Sequence, residues 1–211
     1  MPYAKDHKAK SKLRILDSAI ELFSRYGFDR VSIGEIMDKA KMTHGAFYGH
    51  FESKEALFKA SFMETMKRSR AARLVKGPLS VEHLTRLVTH YWNLRELAKS
   101  HKPGPEAILF NEVGNKNAKV KQLFEESYEH LKRILEIRLI ALSKLKQIPL
   151  NADRESVADK ARTILSLLVG AVVVAKSVSR QDEQRRILEA AQNQILHLLG
   201  VELSSNMELK S

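Results

Sequence analysis

Residues 32–54 read SIGEIMDKAKMTHGAFYGHFESK, and the rest of the chain is organised around them. Ser32 followed three positions later by Glu35 is a capping box, in which hydroxyl and carboxylate each satisfy an orphan amide at a helix start. The box predicts a short helix from Ile33 to Ala40, with Ile33, Ile36, Met37 and Ala40 on one apolar face. Lys41 and Met42 form a tight connection, and Thr43 is the expected N-cap of a second short helix ending near His50. Two short helices joined by a turn make a helix-turn-helix candidate whose second helix enters the DNA major groove. Gly45, Ala46 and Gly49 carry little side chain and let the backbone approach base edges and phosphates. His44 and Tyr48 reach past them, while Phe47 and Phe51 point the other way as core anchors. Ser53 caps the next helix, and a phosphate bound at that helix start would reverse the unfavourable placement of Lys54 there.

Composition sets the bounds. The 211 residues are 44% hydrophobic and carry a formal charge of +11, which fits a polyanionic partner. Residues 1–60 hold 11 Lys and Arg against 8 Asp and Glu, a net of only +3, so the reading segment is not an indiscriminate basic patch. Cysteine is absent, which excludes disulfides, thiolate metal sites and thiol redox sensing and is compatible with the cytoplasm. The basic N-terminus has no apolar stretch behind it, so no signal peptide is read. The longest apolar run, 164–175, is shorter than the roughly 20 residues that span a bilayer, and no membrane association is expected. No glycine-rich phosphate loop, serine elbow, HExxH or paired carboxylates occur, so an enzyme has no support in the sequence. No cofactor is expected. His83 and His90, two turns apart, lack the further ligands a metal needs.

Every segment outside residues 32–54 is helical in pattern, and the fold class expected is all-α. Residues 1–11 are taken as a basic arm with Lys5, Lys8 and Lys10, which either follows phosphates or is a solvated tail. A first helix over 12–26 stops at Gly27. After Lys54 a long helix carries Leu57, Phe58, Phe62 and Met66 and ends near Val75 in a basic cluster, read as a solvated helix end. Further helices are expected over 81–100, around 108–110, over 118–146, from an Asn151 cap to 178, and over 181–199. The domains read as a helix-turn-helix module over 12–60, a helical domain over 61–200 and a tail over 201–211.

Residues 16–58, with the run AIELFSRYGFDRVSIGEIMDKAKMTHGAFYGHFESKEALF, resemble the DNA-binding domain of the tetracycline-repressor (TetR) family of bacterial transcription regulators. The run THGAFYGHF further resembles a subgroup with that order of residues. Lys41 departs from the glycine common at the turn, and Gly49 from the aromatic or polar reader many members carry. The resemblance implies phosphate contacts from Ser32, Thr43, Tyr48, His50 and Lys54, and base readout near His44, Gly45, Ala46 and Gly49. It implies an effector pocket in the middle helices, where His90, Tyr91, Trp92, Phe110, Glu112, Phe124 and Tyr128 concentrate, although aromatic residues at helical spacing also build cores. It implies, too, a four-helix bundle between two subunits formed by the last two helices, through Ile164, Leu168, Ala171, Val172 and Ala175 and through Ile187, Ala191, Ile195 and Leu198. Periodicity alone leaves an intramolecular core equally open for these faces. The function expected is a homodimeric transcription regulator, a repressor released from a palindromic operator by a small-molecule effector. Two alternatives are a helical ligand-binding protein or enzyme with an incidental helix-turn-helix, and a nonspecific architectural DNA-binding protein. Activation in place of repression depends on where the operator lies.

Overall fold

The structure is a computed structural model that describes residues 2–68, 80, 104–149 and 153–201. Its elements are α1 (Pro2–Tyr26), α2 (Ile33–Lys39), a 3-10 helix (His44–Gly49), α3 (Lys54–Arg68), α4 (Pro105–Asn111), α5 (Ala118–Lys144), α6 (Arg154–Ser177) and α7 (Gln181–Leu198). No strand occurs among the described residues. The helix expected over 81–100, with His83, His90, Tyr91 and Trp92, lies outside them, as do the basic residues 70–76, Asn151 and the tail.

The chain divides into two compact units, Met1–Ser69 with Ser100–Glu125, and Arg70–Lys99 with Glu126–Ser211. The first unit is built on α1, which packs against α2, α3 and α4. Ile15, Ala19, Ile20 and Phe23 form its buried stripe, at the spacing of one helix face. Phe58 of α3 meets Phe23 edge-on at 5.0 Å and Phe28 at 5.2 Å, and Phe124 of α5 meets Phe62 at 5.0 Å. Edge-to-face pairs of this kind add about 0.5–1.5 kcal/mol each beyond the area they bury. Two expectations are corrected here. Residues 2–11 are the first turns of α1 rather than an arm: Pro2 sits where a helix tolerates proline, and the Ala- and Lys-rich stretch after it has high helix propensity. The N-terminal unit also does not end near 60, because α4 and the start of α5 bury Ile108, Val120 and Leu123 in its core.

In the second unit α6 packs along α7. Asp153 caps α6 by accepting the Ser156 amide at 3.2 Å, two residues beyond the cap expected at Asn151. The core joins Leu139 and Leu142 of α5 to Val157, Ala161, Ile164, Leu168, Ala171, Val172 and Ala175 of α6 and to Leu188, Ala191 and Ile195 of α7. This corrects the expected dimer face. Ile164, Leu168, Ala171, Val172, Ala175, Ala191 and Ile195 are buried within one subunit, and Ile187 and Leu198 are half-buried against the same core. An apolar helix face is satisfied by whichever neighbour reaches it, and here α5, α6 and α7 satisfy one another.

Candidate DNA-reading surface

The capping box forms as its spacing dictates. The Glu35 amide donates to Ser32 Oγ at 3.2 Å, while the Ser32 amide and hydroxyl both donate to Glu35 Oε2 at 2.7 Å. The Ser32 amide bond, then the hydroxyl bond, holds the Glu35 carboxyl below its ordinary pKa. Ser32 therefore has both its protons directed at Glu35, and in this conformation it is a helix cap with no free donor for a phosphate.

The turn after α2 is closed by Lys41 in the left-handed region, φ +53°. Its amide donates to Asp38 O at 2.9 Å and the Met42 amide to Met37 O at 3.0 Å, the Schellman pattern that glycine usually terminates. The Arg14 guanidinium of α1 donates to the carbonyls of Ala40 and Lys41, so the end of α2 is tied to the scaffold helix.

The element after the turn is a 3-10 helix, and Thr43 does not cap it with its side chain. Tight i→i+3 bonding supplies the reason: the Ala46 amide donates to the Thr43 backbone carbonyl at 3.0 Å, which leaves the exposed hydroxyl without a capping task. Phe47 is fully buried and anchors the element. His44 and Tyr48 stand outside as an exposed pair with ring centroids 6.2 Å apart, and Tyr48 is 63% exposed. A Cβ added at Gly45 or Gly49 would meet nothing within 4 Å, and neither glycine has a positive φ. The fold thus has no need of glycine at either position. Ala46 differs from its expected role, since it is half-buried against the core.

His50 ends this element with its Nδ1 buried and unpartnered. Burial, followed by the nearby Lys8 and Lys12, pushes its pKa down. Ser53 caps α3 through the Ala56 amide at 3.1 Å. Lys54 lies with Nζ 4.3 Å from the Phe28 ring centroid; burial lowers its pKa while Asp29, Glu55, Glu112 and Glu35 oppose that.

Of the positions expected to line an effector pocket, His90, Tyr91 and Trp92 lie outside the described residues. Phe124 is in the aromatic cluster of the first unit, Phe110 is 61% exposed, and Tyr128 is partly exposed beside Lys132. Glu112 serves the turn between α1 and α2: Oε1 accepts the Phe28 amide at 2.5 Å, and Oε2 accepts from the Asn115 side chain. Asn111 adds a bond from Nδ2 to Ser24 O at 2.6 Å. Burial raises the Glu112 pKa, against the opposing pull of the Phe28 and Asn115 bonds. No local pattern announces this clamp, which joins residues 84 positions apart. The sequence signal nearest to it is the Asn-rich loop at 114–117.

Residues 15–61 match the model of the bacterial regulatory proteins of the tetR family. The segment is similar to TetR-family N-terminal domains. The A-factor receptor protein of Streptomyces griseus is 50% identical over 46 residues, 22% of this chain and 17% of that protein. The HTH-type transcriptional repressor Rv1474c of Mycobacterium tuberculosis is 33% identical over 78 residues, 37% of this chain and 42% of that protein. The chain thus spans less than half the length of these relatives. The fold likeness extends further. Reduced NemR of E. coli superposes with a TM-score of 0.73 at 16% identity over 92% of this chain and 100% of its own. FadR of Bacillus subtilis, in complex with stearoyl-CoA, gives 0.66 at 22% identity over 89% and 96%. The all-helical architecture is therefore the fold of these structures.

Proposed function

We propose that this protein is a homodimeric, sequence-specific DNA-binding transcription regulator, a repressor that leaves its operator when a small-molecule effector binds the helical unit. The observation that carries the reading is the 3-10 element itself. His44, Tyr48 and the free Thr43 hydroxyl project from a backbone bared by Gly45 and Gly49 and held by buried Phe47. Such a surface suits the major groove, with Thr43, Tyr48, His50 and Lys54 on phosphates and His44, Gly45 and Gly49 at base edges. The run Thr43–Phe51 is the basis for placing the chain in the THGxFYxHF subgroup.

Two such surfaces must lie about one DNA turn or a multiple apart to read a palindromic operator, which calls for a dimer. Outward positions of α6 support one: a Cβ at Gly170 would meet nothing within 4 Å, and Val174 one turn on is 51% exposed. The seam residues Ile187 and Leu198 border the same unit's core. For the effector, the stearoyl-CoA in the FadR complex, an apolar chain on a charged head, makes an amphipathic molecule with an apolar chain the class to screen first, with His90, Tyr91, Trp92 and Tyr128 as the candidate contacts. The effector acts only through its differential affinity for the two spacings of the reading elements. No helix among the described residues is long and apolar enough to cross a membrane, and the proposed location is the cytoplasm, with the DNA.

Replacement of Tyr48 by Ala tests the assignment. The exposed ring meets buried Phe47 edge-on at 5.2 Å, so the variant gives up about 0.5–1.5 kcal/mol of stability and keeps its fold and subunit stoichiometry while losing binding to duplexes that the parent protein selects. Undiminished binding would remove the 3-10 element from the reading role.

A further inference from the structure

We propose that the first turns of α1 form a second phosphate-gripping surface beside the reading element, in which Lys8 and Lys12 hold the DNA backbone flanking the bases that are read. The inference rests on the DNA-binding function proposed above and adds to it a site outside the helix-turn-helix. Because residues 2–11 are helical, Lys8 and Lys12 are four apart on one helix face. They advance by about 6 Å along the axis, while phosphates of one strand advance by about 3.4 Å each, so two lysines so spaced match about two phosphates. Both residues are exposed.

Their surroundings come from a different element. Both lysines act electrostatically on His50 at the end of the 3-10 helix, and Lys12 Nζ lies 5.5 Å from the ring centroid of Phe51. The lysine face is therefore continuous with the reading surface rather than on the far side of the unit. Two other cations of the unit are paired, Lys39 with Glu21 at 2.9 Å and Arg68 with Asp17 and Glu64. Among the described residues no ion pair holds Lys8 or Lys12. Like charges four apart on a helix repel, and a polyanion laid across them converts that repulsion into attraction.

The test uses the full-length protein and a duplex that it selects from a random-sequence library, titrated by fluorescence anisotropy over a salt series. Each phosphate contact contributes about 0.9 to the slope of log K against log salt. Lys8→Ala lowers that slope by about 0.9 per subunit, and Lys8→Ala with Lys12→Ala by about twice as much, while the affinity ratio between selected and scrambled duplexes is unchanged. Phosphate contacts carry no base information, hence the constant ratio. Lys8→Arg restores the slope. Lys12 touches the Phe51 ring, so Lys8 carries the decision, with the melting midpoint measured alongside. A parental slope in both variants, with selectivity intact, overturns the lysine surface and leaves the regulator reading standing. A parent protein that selects no duplex overturns both.

Discussion

Adding one methyl group at Gly45 or Gly49 separates what the fold requires from what the ligand requires. At neither position does a Cβ find a neighbour within 4 Å, and neither glycine uses a positive φ. Glycine in a regular segment is less favourable than alanine by about 0.5–1 kcal/mol, through its greater unfolded-state freedom. Gly45→Ala and Gly49→Ala are therefore expected to stabilise the protein by about that amount each, and to raise the melting midpoint by about 2–4 °C per kcal/mol. DNA binding moves the other way. Carbon atoms in contact need about 3.5–4.0 Å between them, so backbone lying against base edges or phosphates has no room for the methyl. Each variant is expected to lose at least about tenfold in affinity, about 1.4 kcal/mol. Calorimetry and anisotropy on the same preparations read both quantities. Alanine variants that bind as tightly as the parent would refute close backbone approach, and destabilised variants would refute the claim that the fold leaves these positions open.

Three further outcomes follow from particular contacts. Lys41→Gly relieves a left-handed strain of about 1–2 kcal/mol, less the entropy that glycine adds to the unfolded chain, so a net gain of about 0.5–1 kcal/mol is expected in a urea titration and none for Lys41→Ala. Glu112→Ala leaves the buried Phe28 amide without its acceptor and is expected to lose about 1–3 kcal/mol. Because burial raises the Glu112 pKa, the folded state binds that proton more readily than the unfolded one. The group's contribution is therefore greatest below the unfolded carboxyl pKa and is lost as pH rises through the folded value; parent-minus-variant urea midpoints must fall across that window. Gly170→Leu is expected to yield folded monomers by light scattering, whereas Leu168→Ala, inside the subunit core, is expected to lose about 2–5 kcal/mol of stability.

The local chemistry of the reading segment was legible because it is local. Ser32 and Glu35 find each other three residues apart, Phe47 and Phe51 face inward together, and Gly27 stops α1 with φ +80°. The Thr43 cap failed for an equally local reason, since a 3-10 turn satisfies the Ala46 amide through backbone and spacing does not separate 3-10 from α over six residues. Residues 2–11 look like a tail because they lack an apolar stripe, yet they extend a helix that is already nucleated and anchored by Ile15 and Ala19. The faces of α6 and α7 were read correctly as apolar, but periodicity names no partner, and Leu139 and Leu142 of α5 occupy the place expected for a second subunit. The Glu112 clamp was invisible, because a carboxylate at the end of α4 gives no sign that its partner is the amide of Phe28.

Selective binding by two subunits is the property that a specific regulator must show. Full-length protein titrated with a library-selected duplex and with the same bases scrambled, at fixed salt, is predicted to prefer the first by about 4–10 kcal/mol and to saturate at two subunits per site. Equal affinity for both duplexes, collapsing together as salt rises, would contradict it and describe a phosphate binder with no sequence to read.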